Sequence, residues 1–276
     1  AQASFQGAIE KLSSGLRINK AADDSAGLAV SEKLKNQVRG LNQAQRNAQD
    51  AMSLLQVAEG ALNEVHSILG RVRELSVQGA NDTLTNSDRT HIQDEIDALL
   101  SEVDRISTST QFNKINLLDA STAGFTFHVG ANNDAPTASN EITFTIGSSA
   151  NALGAPANGQ INTTTLGVAV FSSGALGTAY MPQATANGAI SQLDNAIEDV
   201  STFRGAIGAM QNRLTSQINS LGVASENVGA ANSRIRDADV AQAVSEMTRS
   251  QILQQASMAV LAQANQQPQS VLQLLK

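Results

Sequence analysis

Residues 28–79 read LAVSEKLKNQVRGLNQAQRNAQDAMSLLQVAEGALNEVHSILGRVRELSVQG, without a proline or a turn-forming cluster. Apolar residues recur along this stretch at steps of three, four and seven, which is the spacing of a coiled-coil stripe: Leu34, Val38, Leu41, Ala48, Met52, Leu55, Ala58, Leu62, Val65, Leu69 and Val72. Gln45 falls inside the stripe and weakens one turn. The rise of a helix predicts a rod-like element of roughly 75 Å from Leu28 to Gly79.

Three further helical patterns follow the first one. Residues 79–87 form a break, and Ser87 is the expected cap of a second helix with a stripe of Ile92, Ile96, Leu99, Val103 and Ile106. A returning arm carries Ile190, Leu193, Ile197, Val200, Ile207, Met210, Leu214, Ile218 and Leu221. A last helix from about Asp239 offers Val240, Val244, Met247, Leu253, Val260 and Leu261. Because isolated helices are marginal in water, the two ends of the chain should pack together.

The middle of the chain has a different composition. No Lys or Arg occurs between Lys114 and Arg204, and period-two alternation over 125–132 and 142–147 predicts a β-hairpin at about 124–147. Residues 148–184 are rich in Gly, Ala, Asn, Ser and Thr, so they form either a solvated cap or a face that binds a glycan or another ligand. Asn162-Thr-Thr fits a glycosylation pattern that also recurs by chance. The predicted fold is mostly α: an elongated rod of long antiparallel helices from both ends, with a small hairpin-containing insert.

Composition argues against several function classes. The formal net charge is -7, and no Lys/Arg cluster offers a groove for nucleic acid. There is no cysteine, no secretory signal at the start and no run of about 20 apolar residues for a membrane span. His66, His91 and His128 are scattered, and neither an HExxH nor a GxSxG pattern is present. We therefore expect no enzyme activity and no catalytic, cofactor or metal site.

The last helix and the tail are unusually apolar for a monomer. Six residues are the candidate assembly residues: Val260, Leu261, Val271, Leu272, Leu274 and Leu275. Such a surface either folds back on its own domain or finds its partner in another chain. The second alternative predicts self-assembly.

Several longer motifs resemble those of bacterial flagellin. They are Glu10–Asn19 (EKLSSGLRIN), Ala22–Ala29 (ADDSAGLA), Arg71–Leu75 (RVREL), Gln111–Asn113 (QFN), Val129–Asn132 (VGAN), Ser233–Asp239 (SRIRDAD), Gln251–Ala256 (QILQQA) and residues 261–268 (LAQANQQP). The resemblance covers both arms, and the insert at about 148–184 departs from it. Family members normally begin with about twenty further residues, so the chain resembles a truncated or processed form. The unpaired C-terminal helix is then expected to expose its apolar residues and polymerise weakly.

The resemblance implies three domains and a function. Residues 1–14 with 240–276 would form an inner domain, 15–27 with 229–239 a spoke linker, and 28–228 the rod with its hairpin. The spoke charges would be Arg17, Asp23, Asp24, Arg234, Arg236, Asp237 and Asp239, forming either crossed ion pairs or a solvated charge run. The implied function is a structural subunit that self-assembles into the helical flagellar filament for swimming.

The resemblance also implies partners outside the filament. These are an export chaperone on the C-terminal helix, hook-associated and cap proteins, and Toll-like receptor 5, recognised through Arg71, Leu75 and Glu95. The chain would be extracellular, secreted by type III export without a cleaved signal peptide. Two alternatives stay open: a hook-filament junction protein, or a surface adhesin or carbohydrate-binding rod with its function in the insert. Nucleic acid and membrane are not expected partners.

Overall fold

The computed structural model describes residues 2–119, 124–132, 140–144, 163, 166 and 182–274; the side chains of 3, 184 and 265–274 are outside this description. Five helices and four short strands occupy the described part: α1 (Gln2–Ser14), α2 (Ser25–Gly79), α3 (Asn86–Ser109), β1 (Gln111–Phe112), β2 (Ile115–Asn116), β3 (Phe125–His128), β4 (Glu141–Phe144), α4 (Gln183–Arg236) and α5 (Val240–Leu274). The mostly α class, with long helices from both chain ends, is confirmed. The chain divides into two compact units, 1–40 with 223–276 and 41–222.

The second unit is built on one apolar core that α2, α3 and α4 share. Their stripes supply fully buried side chains, including Leu62, Val103 and Leu193. The α2 stripe does not weaken at Gln45, because the neighbouring Ala44 is buried in its place. On α3 the buried position is Leu100 rather than Leu99, which lies partly buried at the edge of the core.

The start of α3 corrects one prediction. The N-cap is Thr85 and not Ser87, which lies inside the first turn. The Thr85 hydroxyl accepts from the Asp88 amide at 3.3 Å, and the Asp88 carboxylate accepts from the Thr85 amide at 3.0 Å. Both bonds satisfy donors that a helix start leaves free, so this reciprocal box outweighs a lone serine two residues later. The Thr85 hydroxyl also donates to the Asp88 carboxylate at 2.8 Å, and this bond, followed by the one from the Thr85 amide, lowers the pKa of Asp88.

The predicted hairpin is confirmed as the antiparallel pair of β3 and β4, in which Phe125 faces Phe144 and His128 faces Glu141. A second, tighter hairpin joins β1 to β2 and was not predicted. Its two turn residues, Asn113 and Lys114, have φ of 51° and 64°. Asparagine tolerates this left-handed region, but a lysine stands where such turns usually have glycine, so the Asn-Gly pattern that predicts a tight hairpin is absent.

Side-chain amides from two helices hold the end of β3. Asn47 of α2 donates to the His128 carbonyl at 3.0 Å, and Gln217 of α4 donates to the Val129 carbonyl at 3.4 Å. The following Gly130 lies under the Asn140 side chain, where an added Cβ would be 2.0 Å from Oδ1. Only a glycine fits this contact, so packing explains why the Val129–Asn132 motif has glycine at position 130.

The first unit contains α1, α5 and the adjoining ends of α2 and α4. Helix α1 contacts α5, and one alanine of each is buried, Ala8 and Ala243. Helix α1 is followed by Gly15, whose φ of 71° suits the left-handed cap after a helix. Ile18, in the connection to α2, is 2% exposed. Among the described helices, none is long and apolar enough to cross a membrane.

Candidate functional site

Arg71 and Glu95 form an ion pair where α2 and α3 pack. Nε and Nη2 of Arg71 donate to Oε1 of Glu95 at 2.9 and 2.8 Å, and Nη1 donates to Glu74 at 3.2 Å. These bonds, first to Glu95 and then to Glu74, raise the pKa of Arg71. The two paired side chains remain 49% and 45% exposed. The structure therefore brings together two of the three predicted recognition residues on an accessible surface.

Leu75, the third predicted recognition residue, is 2% exposed and belongs to the core. It continues the buried stripe of α2 one turn after Val72, so the core periodicity decides where its side chain lies. Leu75 is not a surface residue. It supports the helix that carries Arg71 from beneath.

Sequence reasoning missed a second arginine contact in the same motif. Arg73 Nε donates to Asp194 Oδ1 of α4 at 2.6 Å, while Val72 between the two arginines is fully buried. The Arg71–Leu75 motif therefore ties α2 to α3 through one arginine and to α4 through the other. The sequence contained a clue. The two arginines flank Val72, a residue of the buried stripe, so their side chains project on opposite sides of the buried face of α2.

Part of the predicted spoke is a backbone-paired connection within the first unit. An isolated β-bridge joins Leu16 to Asp237, with the Arg17 amide donating to the Arg236 carbonyl at 2.6 Å and the Ala238 amide donating to the Gly15 carbonyl at 3.0 Å. The Arg17 guanidinium adds a bond to the Ile235 carbonyl at 2.6 Å. The two chain segments are thus fixed mainly by main-chain atoms.

The spoke carboxylates do not form the crossed ion pairs considered above. Asp23 accepts from the amides of Lys20 and Asn19 at 2.9 and 3.0 Å, which lowers its pKa. Asp24 accepts from the Gly27 amide at 2.9 Å, and Asp239 accepts from the amides of Ala241 and Gln242 at the start of α5. Three of the four acidic residues therefore stabilise turns and helix starts, because nearby amides lacked other acceptors.

The basic spoke residues and Asp237 have other partners or face solvent. Arg236, 18% exposed at its side chain, pairs with Glu32 of α2 at 2.7 Å. Asp237 accepts from the Ser233 hydroxyl at 2.5 Å, and Arg234 is exposed. Glu32 was not recognised as a partner from the sequence, since it lies 204 positions away along the chain.

Helix α5 carries a set of exposed apolar side chains, distributed around the helix, which we call the α5 stripe. Its members are between 42% and 67% exposed: Val240, Val244, Ile252, Leu253, Met258, Val260 and Leu261. The predicted exposure of Val260 and Leu261 is confirmed at 67% and 64%. The side chains of Val271, Leu272, Leu274 and Leu275 lie outside the described residues. Large apolar side chains grouped on one element mark an interaction surface.

The insert and the histidines complete the predicted candidates. Thr163, in the middle of the Asn162-Thr-Thr pattern, is 5% exposed, and Asn162 and Thr164 lie outside the described residues. The three histidines lie on α2, α3 and β3. Within the described ranges there is no group of three or more His, Cys, Asp or Glu side chains that could hold a metal ion.

Two family models match the chain. The model of the bacterial flagellin N-terminal helical region matches residues 1–123, and that of the C-terminal helical region matches residues 190–275. A flagellin of Halalkalibacterium halodurans is 47% identical over 271 residues, covering 98% of this chain and 92% of that protein. A flagellin of Bacillus subtilis is 48% identical over 286 residues, covering 97% and 91%.

Solved structures also resemble the chain. A putative flagellar hook-associated protein from Vibrio parahaemolyticus has a TM-score of 0.60 at 16% identity, covering 78% of this chain and all of that one. The crystal structure of Bacillus cereus flagellin has a TM-score of 0.49 at 29% identity, covering 64% and 88%. At 16% identity the likeness to the hook-associated protein shows a shared fold alone.

Proposed function

The chain belongs to the bacterial flagellin family and is a structural subunit of the flagellar filament, and we propose which of its surfaces form contacts with other copies and with partner proteins. The α5 stripe and the adjoining α1 would form the assembly surface of an inner domain, residues 1–14 with 240–276. Residues 15–27 with 229–239 would be the linker, and 28–228 an outer domain. No catalytic step accompanies this role. The hook-filament junction and adhesin alternatives are not favoured, because the near full-length relatives are flagellins.

The observation that carries this proposal is the exposure of the α5 stripe. Met258, Val260 and Leu261 each leave about two thirds of their surface open in the single chain. Burying the remaining surface of such side chains would contribute on the order of 1 kcal/mol each. Identical copies that meet through two different surfaces form an open helical assembly when the operation relating them does not close.

A pair of variants at one position tests the assembly surface. Leu261→Asp places a charge on the stripe, whereas Leu261→Met keeps the side chain apolar and of similar size. The single chain should fold equally well in both cases, because the side chain is 64% exposed, and far-UV circular dichroism checks this. We expect Leu261→Met to yield as much sedimentable filament as the wild-type chain and Leu261→Asp to yield less. Normal filaments from Leu261→Asp would remove the α5 stripe from the interface.

Export and handling partners follow from the same surface. The exposed apolar side chains of α5 would need to be covered before assembly, and we assign this role to a dedicated export chaperone that binds the C-terminal helix. Secretion would use the flagellar type III route without a cleaved signal peptide, and hook-associated and cap proteins would meet the filament at its ends. A chaperone that binds the wild-type chain and Leu261→Asp with equal affinity would place its contact elsewhere.

For Toll-like receptor 5 we propose a recognition surface centred on Arg71 and Glu95. The support is their 2.8 Å ion pair, which holds both side chains in one orientation while leaving them about half exposed. Arg71→Asp should lower receptor signalling, while the matched exposed change Arg39→Asp should not. If both variants signal like the wild type at equal concentration, this surface is not the receptor site. Melting curves must first show that both variants are folded.

A further inference from the structure

Two residues from the middle of the insert are fixed to the second unit. The Thr163 amide donates to Asp104 Oδ1 at 2.9 Å, and the Thr163 hydroxyl lies 3.0 Å from both oxygens of the same carboxylate. Leu166, three positions later, is 5% exposed and is a member of the apolar core. A polar contact at Thr163 and an apolar contact at Leu166 therefore attach this part of the insert to the helical body.

The chemistry of the polar contact suits an anchor. A carboxylate that accepts from an N–H and an O–H of one residue fixes both the position and the direction of the chain there, and hydrogen bonds to a charged acceptor are stronger than neutral ones. Thr163 is 5% exposed, so water competes little for its donors. Asp104 is half-buried on α3.

The same face of α3 holds a second chain segment. Ser107, three positions after Asp104, donates its hydroxyl to the Leu118 carbonyl at 3.0 Å, and both Ser107 and Leu118 are buried. Residues three apart on a helix lie on one face. The C-terminal half of α3 therefore holds two separate parts of the chain through side-chain oxygens.

We infer that Asp104 is a positioning residue for the insert at 148–184, acting through Thr163 while Leu166 is held in the core. In the sequence, this attachment falls near the middle of the residues that join β4 to α4. We therefore expect sequence changes to be tolerated less at Thr163 and Leu166 than at the other positions of the insert.

Amide hydrogen exchange in the full-length single chain tests the anchor. Asp104→Ala removes both acceptors, and Asp104→Asn keeps one oxygen. The control is Asp94→Ala, an exposed aspartate on the same helix. We expect a peptide covering Thr163–Leu166 to exchange at least about 10-fold faster in Asp104→Ala, because one lost charge-assisted hydrogen bond already produces about that factor and this variant loses the bonds of both the Thr163 amide and the Thr163 hydroxyl. Asp104→Asn should fall between this variant and the wild type, and Asp94→Ala should match the wild type.

The outcome separates positioning from general stability. An anchor changes exchange in the insert peptide and leaves α3 peptides at the wild-type rate, whereas a loss of packing accelerates both. Thr163→Val gives an independent check, because it removes the hydroxyl, keeps the amide and has nearly the same shape; it should exchange faster than wild type but slower than Asp104→Ala. Wild-type exchange of the insert peptide in Asp104→Ala, or equal acceleration across α3, would overturn the inference.

Discussion

Replacement of Arg89 by alanine should be among the most damaging single changes in the second unit. Arg89 lies at the turn from α2 to α3 and is 7% exposed. Its Nη1 donates to the Gly79 carbonyl at 2.8 Å and its Nη2 to the Asn81 carbonyl at 3.0 Å. The guanidinium thus completes the C-terminal end of α2, where carbonyls lack partners in the helix and a positive charge is favourable.

The size of the effect follows from these two bonds. Hydrogen bonds from a charged donor contribute about 1.5–3 kcal/mol each, and water entering the turn would recover part of that, so Arg89→Ala should lower the free energy of unfolding by about 3 kcal/mol. The lysine of Arg89→Lys keeps the charge but lacks the planar guanidinium that donates to two carbonyls at once. This variant should therefore lower the free energy of unfolding by about half as much.

Urea denaturation of the single chain, followed by far-UV circular dichroism, measures the change. The matched control is Arg105→Ala on the same helix, where the side chain is 62% exposed and pairs with Glu102 three positions away. That variant should unfold like the wild type. If Arg89→Ala and Arg105→Ala have equal midpoints, the proposed closure of α2 by Arg89 is wrong.

Two further predictions concern backbone space and acid. Gly130→Ala should lower the unfolding free energy by about 1–3 kcal/mol, because its Cβ meets Asn140; Gly205→Ala, with nothing within 4 Å, should raise it by up to about 1 kcal/mol through helix propensity. Thermal unfolding of the pair should show shifts of opposite sign. The pKa of Asp23 is held below the ordinary aspartate value of 3.8 by the Lys20 and Asn19 amides, so its contribution to stability is present above pH 3.8 and is lost as the pH falls below it. The melting temperatures of wild type and Asp23→Asn should therefore converge in acid; a constant difference would contradict the assignment.

The long helices could be predicted because their signal is repeated over many turns. The stripe of α2 contains eleven apolar positions, so a local error at Gln45 did not alter the assignment, and Ala44 simply took the buried place. The β3–β4 hairpin was equally accessible through strict alternation. Features set by one or two residues were not: the cap at Thr85 competes with Ser87, and the turn at Asn113 and Lys114 lacks the usual glycine.

The candidate site divides in the same way. Exposure of Val260 and Leu261 was predicted from the apolar composition of the last helix and tail, and the grouping of Arg71 with Glu95 came from the family resemblance. The partners of Arg73, Arg236 and Thr163 lie far away along the chain, so local patterns carry no information about them. Asp23 and Asp24 were predicted to be spoke charges, but their carboxylates accept hydrogen bonds from backbone amides a few residues away. Leu75 belongs to the core as well as to the predicted recognition motif, because it continues the buried stripe of α2.

Thiol accessibility at position 260 tests the central claim most directly. The chain contains no cysteine, so Val260→Cys introduces a single thiol on the α5 stripe, at a position 67% exposed in the single chain. If the stripe is the contact between sister copies, a maleimide should label the single chain rapidly and the assembled filament at least about ten times more slowly, as expected for a site that is buried most of the time. Equal labelling rates before and after assembly would contradict the account.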